Sequence, residues 1–368
     1  MAETQQRVIL ITVLDWGLGH AGRIVPLVNE FQRQGARVIL ASAGRAGLLL
    51  QEECPDLTYI PCPAYSVHYR GRNMYWTMFR QLPKIAAAVV KEQLWLRQLH
   101  RQFHFDAIIS DSRFGCFHSK VTSVMVTHQL RLSLAPAWLA GTVNWMYRQW
   151  LNRFDEIWVP DIPDGLSGKL SFPSPFSNTQ YLGILSRMIP LRLQCKYDLL
   201  VLLSGPEPQR THLERIVVQQ LQDKISQLSV LLIQGKTEQS VRQMLAGTQT
   251  ELVSSLSGKE LNEALAASRV VLCRSGYSSL MDLVRLQKSA ILISTPGQPE
   301  QEYLAQRCGE FGWAYVCKQD ELILRKAVLE VSRMPYRIAP EHEHHADRME
   351  QVVAGLLTSL RDKKDRYY

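Results

Sequence analysis

The sequence lacks the cysteine pairings that mark metal or redox motifs. Its seven cysteines, Cys54, Cys62, Cys116, Cys195, Cys273, Cys308 and Cys317, include no C-x-x-C pair, which argues against a zinc ribbon and a thioredoxin-like site. The count is odd, and residues 1–7 lead straight into an apolar run with no leader-like segment. Both features give the expectation of a reducing, cytoplasmic setting. Long apolar runs are also missing. The nearest, residues 132–145, is interrupted by Pro136 and Gly141 and flanked by Arg131 and Arg148, and it falls short of the roughly 18–20 residues of a spanning helix. Glycine (21) and proline (17) are too sparse among 368 residues for a fibrous or low-complexity chain. No short internal repeat is present.

What is there belongs to a folded protein: 46% hydrophobic and 21% charged residues. The length suggests two domains, since one domain usually takes about 100–200 residues. Lys and Arg exceed Asp and Glu by 42 to 34, a formal +8, which points to an anionic partner: nucleic acid, acidic lipid or a phosphorylated ligand. The excess is uneven. Residues 1–190 hold 19 basic against 13 acidic residues, and residues 191–368 hold 23 against 21.

Along the chain, short β-branched runs alternate with helical periodicity. Residues 8–14 (VILITVL) read as a buried parallel strand. The turn Asp15-Trp16-Gly17-Leu18-Gly19-His20 follows, then a helix over 23–34 and a strand over 36–41. The alternation continues with strands at 58–60, 107–111, 124–127 and 156–160 and a long basic helix over 81–103. Residues 161–179 (DIPDGLSGKLSFPSPFSNT) read as a loop or linker. A second α/β unit restarts with strands at 198–203, 229–233, 270–273 and 290–294, helices at 211–224, 261–267, 278–286 and 302–309, and a final helix over 346–360. The expected class is α/β, with two Rossmann-like domains, 1–185 and 186–345, and a C-terminal helix with a charged tail, 346–368, packing back on the first.

Three loops carry candidate chemistry. Gly17, Gly19 and Arg23 with His20 form a glycine turn at a helix start, where free N–H groups and partial positive charge suit phosphate. The spacing Gly17, Gly19, Gly22 fits G-x-G-x-x-G formally, but no acidic residue ends the second strand, which argues against a dinucleotide cofactor. The second loop holds Ser204, Gly205 and Arg210, the arginine ready to pair with an anion. The third region combines Arg274, Ser275, Gly276, Ser278 and Asp282 with Gln298, Gln301 and Glu302. Its small polar residues can donate to phosphate, and a carboxylate one to two turns into a helix can accept both hydroxyls of a ribose. The bland readings are a structural βα turn, a Pro-initiated helix with an exposed arginine, and a solvated helix face.

The segment R-S-G-Y-S-S-L-M-D-L (274–283), followed by P-G-Q-P-E-Q-E-Y-L-A (296–305), resembles the donor site of nucleotide-sugar glycosyltransferases of the GT-B fold. The nearest pattern is glycosyltransferase family 28, which includes the UDP-N-acetylglucosamine transferase of peptidoglycan synthesis. The opening strand–G-x-G-H–helix and the V-P-D at 159–161 match as well. The resemblance implies two domains facing a cleft and transfer from a UDP-linked sugar, such as a UDP-N-acetylhexosamine, to a glycan or lipid-linked acceptor. It implies no resident cofactor or metal. Asp282 takes the ribose position, where Glu is common. Ser275 and Gly276 lie around the diphosphate, and Gln301 and Glu302 are the pair that meets the donor sugar, with Glu302 where Gln is common. The N-terminal loop faces the acceptor. His20, Asp15 and Asp111 all remain candidates for the base. The pseudaminic acid pathway's UDP-sugar hydrolases share the G-x-G-H-x-x-R loop, so hydrolysis is the alternative, and a non-catalytic nucleotide-sugar binder is a third.

Residues 70–101 hold Arg70, Arg72, Arg80, Lys84, Lys91, Arg97 and Arg101 against one acid, Glu92, with Tyr75, Trp76, Phe79 and Trp95 interleaved. This suggests an anionic membrane face or a lipid-pyrophosphate acceptor, and so a chain peripheral to the inner face of the membrane. No nucleic-acid motif accompanies the charge. Residues 132–150, with Trp138, Trp145 and Trp150, either adjoin that face or lie in the core. The run Glu341-His342-Glu343-His344-His345 is too dense for one tetrahedral site on a helix and reads as a solvated helix start.

Overall fold

The computed structural model describes residues 6–65, 74–132, 137–223, 228–236, 241–333 and 346–365. Arg70, Arg72 and the 341–345 run lie outside these residues, as do the side chains of Tyr75, Trp76, Phe79, Arg80 and Trp138. The chain divides into two compact units, Met1–Arg187 with Glu341–Tyr368, and Met188–Pro340.

The first unit is built on β1 (Val8–Val13), α1 (Leu18–Arg33), β2 (Arg37–Ser42), α2 (Gly44–Glu53), β3 (Thr58–Pro61), α3 (Met74–Phe103), β4 (Ala107–Asp111), β5 (Thr122–Val126), α4 (Ala137–Leu151), β6 (Glu156–Val159) and β7 (Thr179–Tyr181). Its sheet has the order β3-β2-β1-β4-β5-β6-β7, and every pairing is parallel. Helices therefore cover both faces, which is why β1 reads as a near-continuous apolar run and β4 and β5 are buried along their length. The core on one face gathers Leu10, Ile39, Ile108, Leu96, Leu99 and Phe105. The register sets Val13 opposite Asp111.

Residues 161–179 are an ordered part of this unit. Asp161 is fully buried, and its carboxylate accepts from the N–H groups of Ile162 (2.8 Å), Leu166 (3.1 Å) and Ser167 (2.7 Å). A Cβ at Gly165 would overlap Asp161 Oδ1. The loop therefore winds around its own acid, and β7 then pairs with β6. Composition alone suggested a linker because the satisfaction of backbone groups by a side chain leaves no periodic signal. The last helix, α10 (Ala346–Asp365), packs on α1 and β7, and Arg33 of α1 pairs with Glu350 at 2.9 Å.

The second unit contains β8 (Tyr197–Leu202), α5 (Gln209–Gln222), β9 (Val230–Ile233), β10 (Arg242–Met244), β11 (Thr250–Val253), α6 (Gly258–Ala266), β12 (Ser268–Cys273), α7 (Tyr277–Arg285), β13 (Ser289–Leu292), α8 (Pro299–Glu310), β14 (Tyr315–Val316) and α9 (Leu324–Arg333). The sheet order is β10-β11-β9-β8-β12-β13-β14, parallel except for the antiparallel edge pair β10–β11. Leu199, Val201, Leu232, Val270, Leu272 and Ile291 form the strand side of its core. In both sheets the strand order reverses beside the first strand, at β1/β4 and β8/β12. Open α/β sheets bind ligands beyond the carboxyl ends of the strands at such points.

Candidate functional site

In the first unit the loops after β1 and β4 meet at the reversal point. Gly17 precedes α1 at φ 140° and supplies no side-chain cap. This backbone conformation favours glycine. The helix begins at Leu18, so His20 and Arg23 stand three residues apart on one face. Both reach Asp111 at the end of β4. His20 Nδ1 lies 2.8 Å from Asp111 Oδ2. Arg23 donates to Asp111 Oδ1 through Nε at 3.2 Å and through Nη2 in a closer contact. Arg23 Nη2 also donates to Ser112 Oγ at 3.3 Å, and Nη1 lies 3.2 Å from His128 Nδ1. Arg23 and Asp111 are buried, while His20 is partly exposed.

Burial opposes the charge on Asp111, but Arg23 and His20 outweigh it and hold the carboxyl below its usual range. As a carboxylate it only accepts hydrogen bonds. The proton of a neutral His20 therefore sits on Nδ1, and Nε2 is left as the basic nitrogen. The 3.1 Å approach of Arg23 Nη2 to His20 Nδ1 follows from two donors converging on one acceptor. A depressed folded-state pKa contributes stability above the unfolded value, near 4, and loses it as pH falls through the lower folded one. Acid unfolding below about pH 4 should therefore be steep in the wild type and shallower in Asp111→Asn, as read by circular dichroism. Superimposable acid transitions would contradict the assignment.

Ser112 adopts φ 56°, a left-handed kink that sends the next side chain elsewhere. Arg113, fully buried, donates to Glu92 Oε1 (2.7 Å), to Val13 O (3.1 Å) and to Pro63 O. Tyr65 Oη donates to Glu92 Oε2 at 2.8 Å, and the Arg113 guanidinium lies over the Tyr65 ring. Asp15 belongs to this second cluster. Its Oδ1 is 3.8 Å from Arg113 Nη1 and is buried without a hydrogen bond.

In the second unit β8, β12 and β13 are neighbours, and the loops after them gather the remaining candidates. Ser204 and Gly205 are exposed, Gly205 at φ 100°. Arg210 donates to Glu207 Oε1 through Nε at 2.9 Å and to Gln234 O at 2.6 Å. Glu207 Oε2 accepts from Thr211 N at 3.2 Å, so the start of α5 is already occupied by the chain's own carboxylate. Arg274 is buried and donates to Ser294 O (2.9 Å), Gln209 O (2.9 Å) and Gln319 Oε1 (2.5 Å). Burial pushes its pKa down to about 10. Ser275 Oγ donates to Gln301 O at 2.8 Å, and Gln301 Oε1 accepts from Thr295 N at 2.9 Å. Glu302 Oε1 accepts from Gly297 N at 2.9 Å, and Gln298 N donates to Thr295 O at 3.1 Å. Gly276 opens α7 without a side-chain cap. Ser278 and the half-buried Asp282 lie four residues apart on α7. The Cys273 thiol is raised to about 12 by burial and by Asp282 beside it.

Solved structures of the same fold span nearly the whole chain. The glycosyltransferase of kitacinnamycin covers 97% of this chain, over 96% of its own length, at 14% identity and TM-score 0.64. MurG of Acinetobacter baumannii covers 96%, over 99% of its own, at 13% identity and TM-score 0.56. VinC, a glycosyltransferase solved with dTDP, covers 98%, over 100% of its own, at 14% identity and TM-score 0.58. Residues 209–355 match the glycosyltransferase family 28 C-terminal domain. The chain has the GT-B fold of these glycosyltransferases, and its residues 209–355 resemble the C-terminal domain of family 28. No curated protein sequence matches it.

Within this fold the predicted residues fall into separate groups. His20, Arg23 and Asp111 come together, and Asp15 stands apart with Arg113. Gln301, Glu302 and Ser275 brace one loop system, while the Arg210 and Arg274 guanidiniums are engaged inside the second unit. Sequence reasoning missed His128, Glu92, Tyr65 and Arg113. His128 had a weak signal, following β5 at the carboxyl edge. Glu92 and Arg113 had none, being 21 residues apart and joined only by the fold. Among the described residues no group of His, Cys, Asp and Glu is arranged to hold a metal, and no helix is long and apolar enough to cross a membrane.

Proposed function

We propose that this glycosyltransferase binds a nucleoside diphosphate sugar, UDP-linked, in its second unit and transfers the sugar to a hydroxyl of a glycan or lipid-linked acceptor offered by its first. The observation that carries the proposal is the His20–Asp111 hydrogen bond beyond the β1/β4 reversal. His20 Nε2 removes the acceptor hydroxyl proton as that oxygen bonds to the anomeric carbon. The bond from that carbon to the diphosphate breaks, and the diphosphate leaves with the electron pair. Asp111 stabilises the imidazolium that forms. Asp111 is a poor base itself, because both its oxygens already accept from His20 and Arg23. Asp15 is ion-paired to Arg113 and serves better as a positioning carboxylate.

In the second unit Asp282 holds the ribose, with Ser278 one turn earlier. Ser204, Gly205, Ser275 and Gly276 surround the diphosphate, and Gln298, Gln301 and Glu302 face the sugar, a UDP-N-acetylhexosamine by the family resemblance. Donor-loop N–H groups offset the charge of the departing diphosphate. VinC and the rhamnosyltransferase SpnG, solved with thymidine diphosphates, support a nucleoside diphosphate as leaving group. The donor is a substrate, and no resident cofactor or metal enters the scheme.

The lipid-linked acceptor draws support from α3. Lys84, Lys91, Arg97 and Arg101 are exposed, and Val90 and Leu94 between them are 58% and 62% exposed. The single acid of the stretch, Glu92, is turned inward to Arg113. A basic helix face with aliphatic tips suits the anionic inner surface of a membrane carrying envelope glycan precursors.

The test is nucleoside diphosphate release from a panel of UDP-, dTDP- and GDP-sugars, with and without lipid-linked acceptors. Acceptor-dependent release is expected. Equal release without acceptor would mean hydrolysis, and binding without release a regulator. Either result overturns transfer. Asp282→Ala should weaken UDP binding about tenfold, as for loss of a charge-assisted hydrogen bond, and unchanged affinity in calorimetry removes that assignment. Co-sedimentation with anionic vesicles should weaken as salt rises. Salt-independent binding contradicts the membrane face.

A further inference from the structure

Three histidines crowd together at the end of the first unit's sheet opposite to His20. His100 lies in the last turn of α3, His104 just after it, and His118 shortly before β5. Strands β4 and β5 are parallel, so residues that lead into them sit at their amino ends, away from the loops that carry Asp111 and His128. The His100 ring centroid is 4.8 Å from that of His118, 6.1 Å from that of His104 and 4.8 Å from that of Phe105. The group is not arranged to hold a metal ion, and nothing in the proposed chemistry uses it.

The two inner rings are placed to be neutral. His118 Nδ1 accepts from the backbone N–H of Lys120 at 3.2 Å, so its ring proton is on Nε2. A second proton would set N–H against N–H. His100 Nδ1 is buried with no hydrogen-bond partner, so a proton there would find no acceptor. The charges around the rings are basic. Arg97 stands one turn earlier on α3, Lys120 lies beside His118, and Arg101 follows His100; all three are exposed. The acids of the adjoining segments are engaged elsewhere. Asp106 accepts from Arg7 (3.3 Å) and Val8 N (2.8 Å), and Asp155 accepts from Ser123 N (2.8 Å). The apolar side of the same turn, Leu96, Leu99 and Phe105, packs with Ile39, Ile108, Cys116 and Val121. Of these only Cys116 is titratable, and burial keeps its thiol protonated. Burial, His118 and His104 hold His100 below the usual histidine pKa, and burial, Arg97 and Lys120 do the same for His118.

We propose that His100, His104 and His118 form a proton-sensitive joint that fastens the end of α3 to the turn before β5 at neutral pH and loosens it in mild acid. Protonation gathers positive charge beside Arg97 and Lys120 and removes the acceptor of the Lys120 N–H. The unfolded value is about 6.5, and the folded values of His100 and His118 lie below it. Between them the unfolded chain binds more protons, so stability is full above about pH 6.5 and falls as pH drops toward the folded values. The joint does not depend on the donor or acceptor reading. It sets how firmly the helix with the exposed basic face is held.

Proton NMR of the histidine rings, with signals assigned by single substitution, reads each site. His100 and His118 should titrate below about pH 6.5. His104→Asn, which suits the left-handed backbone there (φ 48°), should raise the His100 midpoint by removing a like charge. Chemical denaturation should show a loss of stability between about pH 7.5 and about pH 5.5. That loss should shrink in His100→Phe, which can pack on Phe105, and in His118→Asn, whose Oδ1 can accept from Lys120 N. On the wild type alone, hydrogen exchange at 97–105 and 118–121, corrected for its intrinsic pH dependence, should rise in acid before the rest of the unit. Midpoints at or above about 6.5 for His100 and His118 overturn the joint. So does an undiminished acid loss in both variants, or a uniform rise in exchange.

Discussion

His20→Ala is expected to lower kcat by about 10²–10⁴-fold, the range supplied by a positioned general base, with UDP affinity unchanged. The two quantities separate because His20 is in the first unit and the proposed donor loops are in the second. Asp111→Asn should approach the same loss by another route. The amide keeps the shape of the carboxylate but can present an N–H to His20 Nδ1, favouring the tautomer that carries its proton on Nε2. That substitution also removes the counter-charge of the buried Arg23, so its stability must be measured beside its turnover. Asp15→Asn is the comparison. If it abolishes turnover while His20→Ala retains the wild-type rate, the base is Asp15 and the His20 assignment is wrong.

Arg113→Met should have the largest effect on stability, about 3–5 kcal/mol, the cost of leaving one member of a buried ion pair alone. Arg113 and Glu92 are both fully buried and joined at 2.7 Å. Glu92 also accepts from Tyr65 Oη and Gly115 N. Burial already pushes the Glu92 carboxyl up despite Arg113. Without the arginine, burial would push the Glu92 carboxyl further toward its neutral form. The double variant Glu92→Gln, Arg113→Met should recover part of the loss, since no unpaired charge then remains. Chemical denaturation gives the cycle directly. Additive losses would show that the pair is not coupled. Asp15 is read the same way, because among the described residues its ion pair is with Arg113, at 3.8 Å.

How much of the fold is legible in the sequence depends on the range of each physical signal. The strands β1, β4, β8, β12 and β13 were legible because a strand buried on both faces carries a short run of consecutive apolar residues. The helix α1 was legible from its apolar spacing, although its first turn, which contains His20, was not. Strands β7, β10 and β14 are two or three residues long, too short for any period to register. The loop around Asp161 resembled a linker because its order comes from one buried carboxylate. Along α4 the burial of residues 137–151 is divided. Tyr147 and Leu151 enter the core, while Trp145 is 62% exposed.

By itself the sequence determined the alternation of strand and helix, the two glycine turns at the carboxyl ends of strands, and the 274–305 motif that resembles a donor site. These are local properties, set by backbone sterics and by the spacing of neighbours along the chain. Only the tertiary structure decided what each charged group faces. Parallel pairing in register set Val13 beside Asp111 and so joined His20 to a carboxylate 91 residues away. The kink at Ser112 sent Arg113 to Glu92 rather than to the same cluster. The loop after β13 left the Thr295 hydroxyl buried without a hydrogen-bond partner. Each of these outcomes depends on contacts between segments distant in sequence, and the energetics of a buried polar group depend on that partner more than on its own identity.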